Sequence, residues 1–488
     1  MIESACPRYL VSGTENAIVN HGEKPSSLQS VARFLDRFIY FSLLTTIVLT
    51  TIPYGTVQPW WIAIFECLVF VIAILGVIET IISKRWSLNL LLVAPLLALI
   101  LFAFIQTLPL FSGPRPMSPR TSLSADPYNT RLFAVQLFAL TLVVVLLRRY
   151  ILSKARLRGL IYVIIGVGVA SALFGIIRQN LQQSPGFLLP ALPLGGRSFG
   201  QFINRNHFAL LLEMSLGLTL GLIVGEVGRH RRLLVLLPIG ALLWVALIYS
   251  NSRGGILASL SELLFLGVLL DPVRHLAEHR AGTGWRRFQN LAGGLAVRVF
   301  LMACLIGLFA YGVGWVGGEP VVSNFQNAAT DFSQQEMENN TNTSRKEIWS
   351  ATWQMIKAHP LAGVGFSGYW IGITRYHRAS GEITPQQAHN DYLELMASGG
   401  LVGCALVVWF GVSVIKKARQ RLHAPDPYCR AACLGALTGI FGAAVHSFVD
   451  FGLHMTINAL VLFTLTVIAV QSDLLSDKSA TIKVGSGI

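Results

Sequence analysis

Apolar runs of about 20 residues, almost free of charge, recur along this chain, and that is the length a helix needs to cross a hydrocarbon core roughly 30 Å thick. Inside a bilayer no water is present to satisfy backbone N–H and C=O groups, so a spanning run of this kind must be a helix. We place spans at 37–53, 60–82, 88–106, 132–150, 159–177, 207–226, 233–250, 254–271, 299–317, 391–414, 430–448 and 456–474. The expected fold is all-α: a polytopic integral membrane protein with about twelve transmembrane helices. Composition agrees, since only 13% of the 488 residues are charged, against about 25% in a typical soluble domain. Residues 1–30 read as a flexible cytoplasmic lead, 31–475 as one membrane domain, and 476–488 as a cytoplasmic tail.

The net charge of +14 would suit a nucleic-acid binder, but its distribution argues against one. Lys and Arg collect in every second connection: Lys84-Arg85, Arg148 to Arg158, Arg229 to Arg232, Arg274 to Arg287, and Lys416 to Arg421. That alternation is the positive-inside pattern, so the basicity sets topology and meets membrane lipids, with no nucleic acid as partner. Both termini are then cytoplasmic, and a long polar loop, 319–387, lies outside. The polar start and the long first apolar run argue against a cleavable signal peptide. None of the six cysteines falls in an outer loop, so no disulfides are expected, and Cys429 and Cys433 read as small buried thiols.

The polar loop and the residues that close it, Ala388-His389-Asn390-Asp391-Tyr392-Leu393-Glu394, are where chemistry is expected. Ser344 and Glu347 fit a capping box, so a helix is expected to begin there. Trp349, Trp353 and Ile356 follow at one helical spacing, the stripe of a short amphipathic helix lying on the outer membrane surface. It should stop before His359-Pro360, and Gly363-Val364-Gly365-Phe366-Ser367-Gly368-Tyr369 then reads as a flexible turn. Arg345 falls in the first turn of that helix, where unpaired N–H groups and a guanidinium together make an anion site. Arg253 repeats the arrangement, with Ser250, Asn251 or Ser252 as cap. The blander reading, that an interfacial Arg simply snorkels, is weaker because the outer loops are poor in cations.

His389 stands just before a helix start on the same face, with Asn390 or Asp391 as cap. An imidazole can take a proton from a hydroxyl at neutral pH. Acids inside spans are costly and face a cavity or a partner, which singles out Glu213, Glu262 and Glu394. Glu213 could line the outer cavity or pair with a helix Arg or Asn. His446, Asp450 and His454 mark the last outer turn; metal binding is the lesser reading there, and no outer D-x-D pair suggests a metal–diphosphate clamp.

Four motifs in this order resemble the O-antigen ligase and O-antigen polymerase superfamily. They are Asn204-Arg205-Asn206-His207-Phe208-Ala209, Asn251-Ser252-Arg253-Gly254-Gly255, the run from Ser344-Arg345 through Trp349 to His359-Pro360-Leu361-Ala362-Gly363-Val364-Gly365, and Ala388-His389-Asn390 with Gly399-Gly400 and Gly403. The likeness is strongest over about 200–415, and the helix count and single large outer loop extend it. It implies a GT-C-like membrane glycosyltransferase of the bacterial inner membrane, needing no metal or cofactor. Such an enzyme takes glycan from undecaprenyl diphosphate on the periplasmic face and passes it to a glycan or lipid acceptor. By that resemblance Arg253 and Arg345 match the diphosphate-binding arginines and His389 the catalytic histidine, with Asn206, Glu213 and Asp450 in support. The segment His446 to His454 looks more like exopolysaccharide-locus members, which tilts the reading toward polymerase, with a flippase and a chain-length regulator as partners. A transporter of a small anion or lipid-linked glycan is the rival from another class, and a protein O-glycosyltransferase is the rival of the same fold.

Overall fold

A computed structural model describes residues 27–52, 54–85, 90–110, 122–181, 199–225, 230–278, 345–377 and 385–471. Its long helices are α1 (Ser27–Thr51), α2 (Pro59–Ser83), α3 (Leu90–Gln106), α4 (Pro127–Tyr150), α5 (Lys154–Leu181), α6 (Arg205–Gly225), α7 (His230–Tyr249) and α8 (Arg253–Glu278). After Arg345 come α9 (Arg345–Ala358), the short α10 (Tyr369–Gly372), α11 (Asp391–Leu422), α12 (Pro427–His446) and α13 (Thr456–Val470). Among the described residues eight helices are long and apolar enough to cross a membrane, and Leu91–Gln106 and Thr456–Val470 are shorter apolar helices. The protein is an all-α polytopic membrane protein. Each expected span has its helix except 299–317, which lies outside the described residues together with 319–344 and 378–384 of the polar loop, Ser344 included.

The centre of the bundle is the pair α6 and α12. Helix α6 is buried from His207 through Leu222, so it is surrounded by protein on every side. Apolar side chains gain little by leaving lipid for one another, so tight contact in a membrane relies on small residues that let backbones approach. Gly217, Gly221 and Gly225 form such a ridge on α6 and meet Ala431, Gly435 and Gly439 on α12. A Cβ added at Gly221 would lie 2.2 Å from the Gly435 Cα, so no side chain fits there.

Helix α11 is broken one-third of the way along. Gly400 has φ +60° and ψ −162°, outside the helical region, in a conformation only glycine adopts readily. The break frees backbone groups at membrane depth, and the segment 360–366 satisfies them. Val364 and Gly365 donate to the carbonyls of Ala397 and Ser398, at 2.9 and 3.0 Å. Leu401 and Val402 in turn donate to the carbonyls of Pro360 and Leu361. Gln106, at the end of α3, clasps both sides. Its amide donates to Ala362 O (2.6 Å) and Ser398 O (3.0 Å), and its Oε1 accepts from Phe366 N (3.2 Å). The stretch expected to be a flexible turn is therefore a pinned backbone splint. Irregular backbone at this depth survives because protein surrounds it.

Helix α9 ends at Ala358, ahead of His359-Pro360, where the sequence places its stop. Its buried face differs from the expected stripe. Ile348, Ala351, Thr352, Met355 and Ile356 turn inward, and Trp353 is exposed. The inward residues pack on Val364, Tyr369, Ile373, Ala388 and Ala397. The helix thus stands on the splint and on α11, and the correction has a simple cause: two apolar series share this helix, and the aromatic one is the less buried.

Candidate active site

One turn, 387–391, concentrates the unusual geometry. His389 has φ +51°, a left-handed conformation that costs a non-glycine residue about 1–3 kcal/mol and must be imposed by its surroundings. Those surroundings are visible bond by bond. Ala388 N donates to Glu394 Oε2 (2.9 Å), and Ala388 O accepts from Trp349 Nε1 (2.9 Å), one turn inside α9. Asn390 caps α11, its Oδ1 accepting from the N–H groups of Tyr392 and Leu393, while its Nδ2 donates to Phe448 O. Asp391 N donates to Ser447 O, and Ser447 Oγ donates to Asp391 Oδ2 (2.8 Å). The imidazole is held on its strained backbone by contacts from α9, α11 and the end of α12.

The connection from α12 to α13 supplies the partner. Asp450 is fully buried, and its Oδ1 lies 3.5 Å from His389 Nδ1 while its Oδ2 lies 4.0 Å from His207 Nε2. Phe451 stands edge-on between these two imidazoles, its ring centroid 4.8 Å from each. Burial acts to raise the Asp450 carboxyl, but the nearby imidazoles of His389, His207 and His446 outweigh it and hold the group below the usual carboxylate range. Asp450 is therefore a fixed anion beneath His389.

The neighbouring histidines face other acids. His446 Nδ1 lies 2.9 Å from Glu213 Oε1, joining α12 to the middle of α6. His454 Nε2 lies 3.3 Å from Glu394 Oε1 and 3.8 Å from Asp391 Oδ1. Among the described residues no group of three or more His, Cys, Asp or Glu is arranged to hold a metal ion. The three side chains His446, Asp450 and His454 point to three different partners.

Both arginine positions open helices. Ser252 Oγ accepts from Gly255 N (3.2 Å), which makes it the cap of α8, and Asn251 before it has φ +57°. The same hydroxyl donates to Asn206 Oδ1 (2.8 Å), tying the first turn of α6 to that of α8. Arg253 is exposed at this start, and the next residue, Gly254, is so close to α12 that a Cβ there would lie 3.1 Å from His446 Nε2. Arg345 is the first residue of α9, about 6 Å along the axis from Trp349, which bonds the carbonyl just before His389. Two helix N-termini with arginines, and a histidine on a buried aspartate, thus converge on one face of the bundle.

Residues 238–408 match the family model described as O-antigen ligase. Over this region the chain is similar to the O-antigen ligase/polymerase superfamily. No curated protein matches it. The match runs from α7 to the middle of α11, so it contains Arg253, Arg345 and His389 and ends before Asp450. That likeness supports a glycosyltransferase-like activity of the O-antigen ligase/polymerase type.

Against that family background the other expected residues fall into two groups. Asn206 organises the helix starts, and Glu213 pairs with His446, a partner the sequence reading had not considered. Glu262 is buried beside Gly442, and neither of its oxygens has a hydrogen-bond partner among the described residues. Three contributors were missed. His207 approaches Asp450, Gln106 clasps the α11 break, and Arg178, buried at the end of α5, donates to Gly200 O. Only His207 carried a signal, as the His of the Asn-Arg-Asn-His run.

Proposed function

We propose that this protein is an inner-membrane glycosyltransferase that takes glycan from undecaprenyl diphosphate and passes it to an acceptor hydroxyl on the periplasmic face, both termini being cytoplasmic. The observation that carries the reading is His389, held at φ +51° with Nδ1 toward the buried carboxylate of Asp450. A proton on Nδ1 directed at the carboxylate fixes the tautomer and leaves Nε2 as the base. His389 Nε2 removes the acceptor hydroxyl proton as that oxygen bonds to the anomeric carbon of the donor sugar. The bond from that carbon to the diphosphate oxygen breaks, and the electron pair leaves with undecaprenyl diphosphate. Arg253 and Arg345, at their helix starts, neutralise the charge that develops on the leaving group. No nucleotide is needed, because the donor is already activated.

Polymerisation is the favoured outcome, since Asp450 comes from the His446 to His454 segment that resembles exopolysaccharide-locus members. In that reading the acceptor is another glycan and a flippase and chain-length regulator act alongside. The test is reconstitution with purified undecaprenyl-diphosphate glycan and acceptor. His389→Ala should abolish transfer, a loss on the order of 10²- to 10⁴-fold, while donor binding persists. Full-rate product from His389→Ala would remove it from the mechanism. Movement of substrate across liposomes with no glycosidic bond formed would favour the transporter instead.

A further inference from the structure

The Asp450 carboxylate has imidazoles on both sides, and the proposed transfer uses only one of them. His207 Nε2 lies 4.0 Å from Oδ2, and His389 Nδ1 lies 3.5 Å from Oδ1. The ring of Phe451 stands 4.8 Å from each, nearly perpendicular, at 81° to His207 and 79° to His389. The two histidines are thus placed alike about one acid, yet they differ in access. His207 is buried, whereas the His389 side chain is 36% exposed. Only His389 can meet a substrate. The other imidazoles nearby are committed elsewhere, His446 to Glu213 and His454 to Glu394.

The backbone of His207 is fixed to the same loop that carries Asp450. Asn458, on α13, donates through Nδ2 to both His207 O and Gly452 O, each at 3.0 Å. Gly452 is pressed so closely on α6 that a Cβ there would lie 2.4 Å from Leu210 Cδ2. His207 Nε2 itself has no hydrogen-bond partner among the described residues and is turned to the carboxylate. A bare ring nitrogen would be repelled by that charge, so Nε2 carries the proton. Were the position needed for packing alone, an aliphatic side chain would serve better, because a buried polar group without a partner is destabilising.

We propose that His207 is a positioning residue: its Nε2–H holds the Oδ2 side of Asp450, which keeps Oδ1 turned toward His389. The inference rests on His389 as the base of the proposed transfer. The second torsion of an aspartate is broad, so a carboxylate held on one side only is free to turn away from His389. The tautomer of His389 is then no longer fixed, and turnover falls although donor and acceptor still bind.

Reconstituted transfer by full-length His207→Leu and His207→Gln tests the proposal. Packing and positioning predict opposite orders, since leucine suits a buried apolar site while the glutamine amide can place an N–H near the position of Nε2. His207→Leu should lower kcat about tenfold to a hundredfold with the KM for donor unchanged, and His207→Gln should stay within about threefold of the wild type. In an Asp450→Asn background His207→Leu should lower kcat by less than about twofold more, because no carboxylate is left to hold. The unfolding temperature in detergent reads the same pairing without activity: His207→Leu should lower it further in the wild type than in Asp450→Asn. A leucine variant as active as the glutamine variant, or effects that simply add in the double variant, would overturn the proposal. A wild type that makes no product would refute the glycosyltransferase reading instead, and the unfolding temperatures would still decide the pairing, additive shifts overturning it.

Discussion

Asp450→Asn isolates the electrostatic part of the proposed mechanism with almost no change of shape. The carboxylate oxygen lies 3.5 Å from His389 Nδ1. At that distance two unit charges interact by about 5 kcal/mol with an effective dielectric of 20, and by about 1 kcal/mol in water. The His389 side chain is 36% exposed, so screening places the interaction toward the lower end, about 1–2 kcal/mol. The imidazole also loses the acceptor that fixes its tautomer, and kcat at neutral pH should fall on the order of 10²- to 10⁴-fold. KM for the donor should change little, because the arginines hold the diphosphate. Reconstituted transfer followed from pH 5 to 9 reads both quantities. That range stays above the window in which protonation of Asp450 would cost stability. A carboxyl held low in the fold contributes stability that is present above its unfolded value and is lost as pH falls through its folded value. Near-normal kcat from Asp450→Asn at normal protein level, or a loss that appears only as a raised donor KM, would show that Asp450 does not act through His389, and the dyad would be wrong.

Arg345→Lys keeps the charge but not the planar fork, and should lose most turnover; Arg253→Ala and Arg345→Ala should lose more. Normal product from both alanine variants at normal protein level would refute the anion site. For orientation, a cysteine at Tyr128, exposed at the start of α4, should react with an impermeant maleimide from outside in a cysteine-free background. One at Lys416 should not, and the reverse pattern would invert the topology. Gln106→Leu removes three hydrogen bonds at the α11 break and should destabilise the protein by about 2–4 kcal/mol, read as a lower unfolding temperature in detergent.

The helices were legible because bilayer length and hydropathy dictate them, and cap residues marked the starts at Ser252 and Asn390. Asn390 before Asp391 accepts from the first turn, as its type and position lead one to expect, whereas the helix capped by Asp426 begins at Pro427, three residues ahead of the expected span. The arginines and His389 were legible as residues at helix starts. The long-range pairings were not: His389 meets Asp450 across 61 positions, His446 meets Glu213 across 233, and Gln106 meets Ala362 across 256. Nothing local in a sequence fixes such pairings. The splint was misread for a related reason. Gly363 and Gly365 look flexible alone, and only the break at Gly399-Gly400 explains why their backbone must be small and close.

That break bears on the choice between enzyme and transporter. Transporters commonly interrupt helices near mid-membrane and leave the exposed ends to coordinate substrate or ions. Here α11 is interrupted too, yet the backbone groups around the break bond to 360–366 and to Gln106. The interruption holds a protein segment where a transporter would hold cargo. Its mechanical consequence reaches the rim. The splint carries Val364, on which α9 packs, and α9 carries both Arg345 at its start and Trp349 against the residue before His389. A rigid break in α11 thereby fixes one proposed diphosphate arginine and the proposed base from a single framework. Chemistry between a lipid diphosphate and an acceptor at the interface needs that fixed separation, whereas alternating access needs the opposite, a joint free to change.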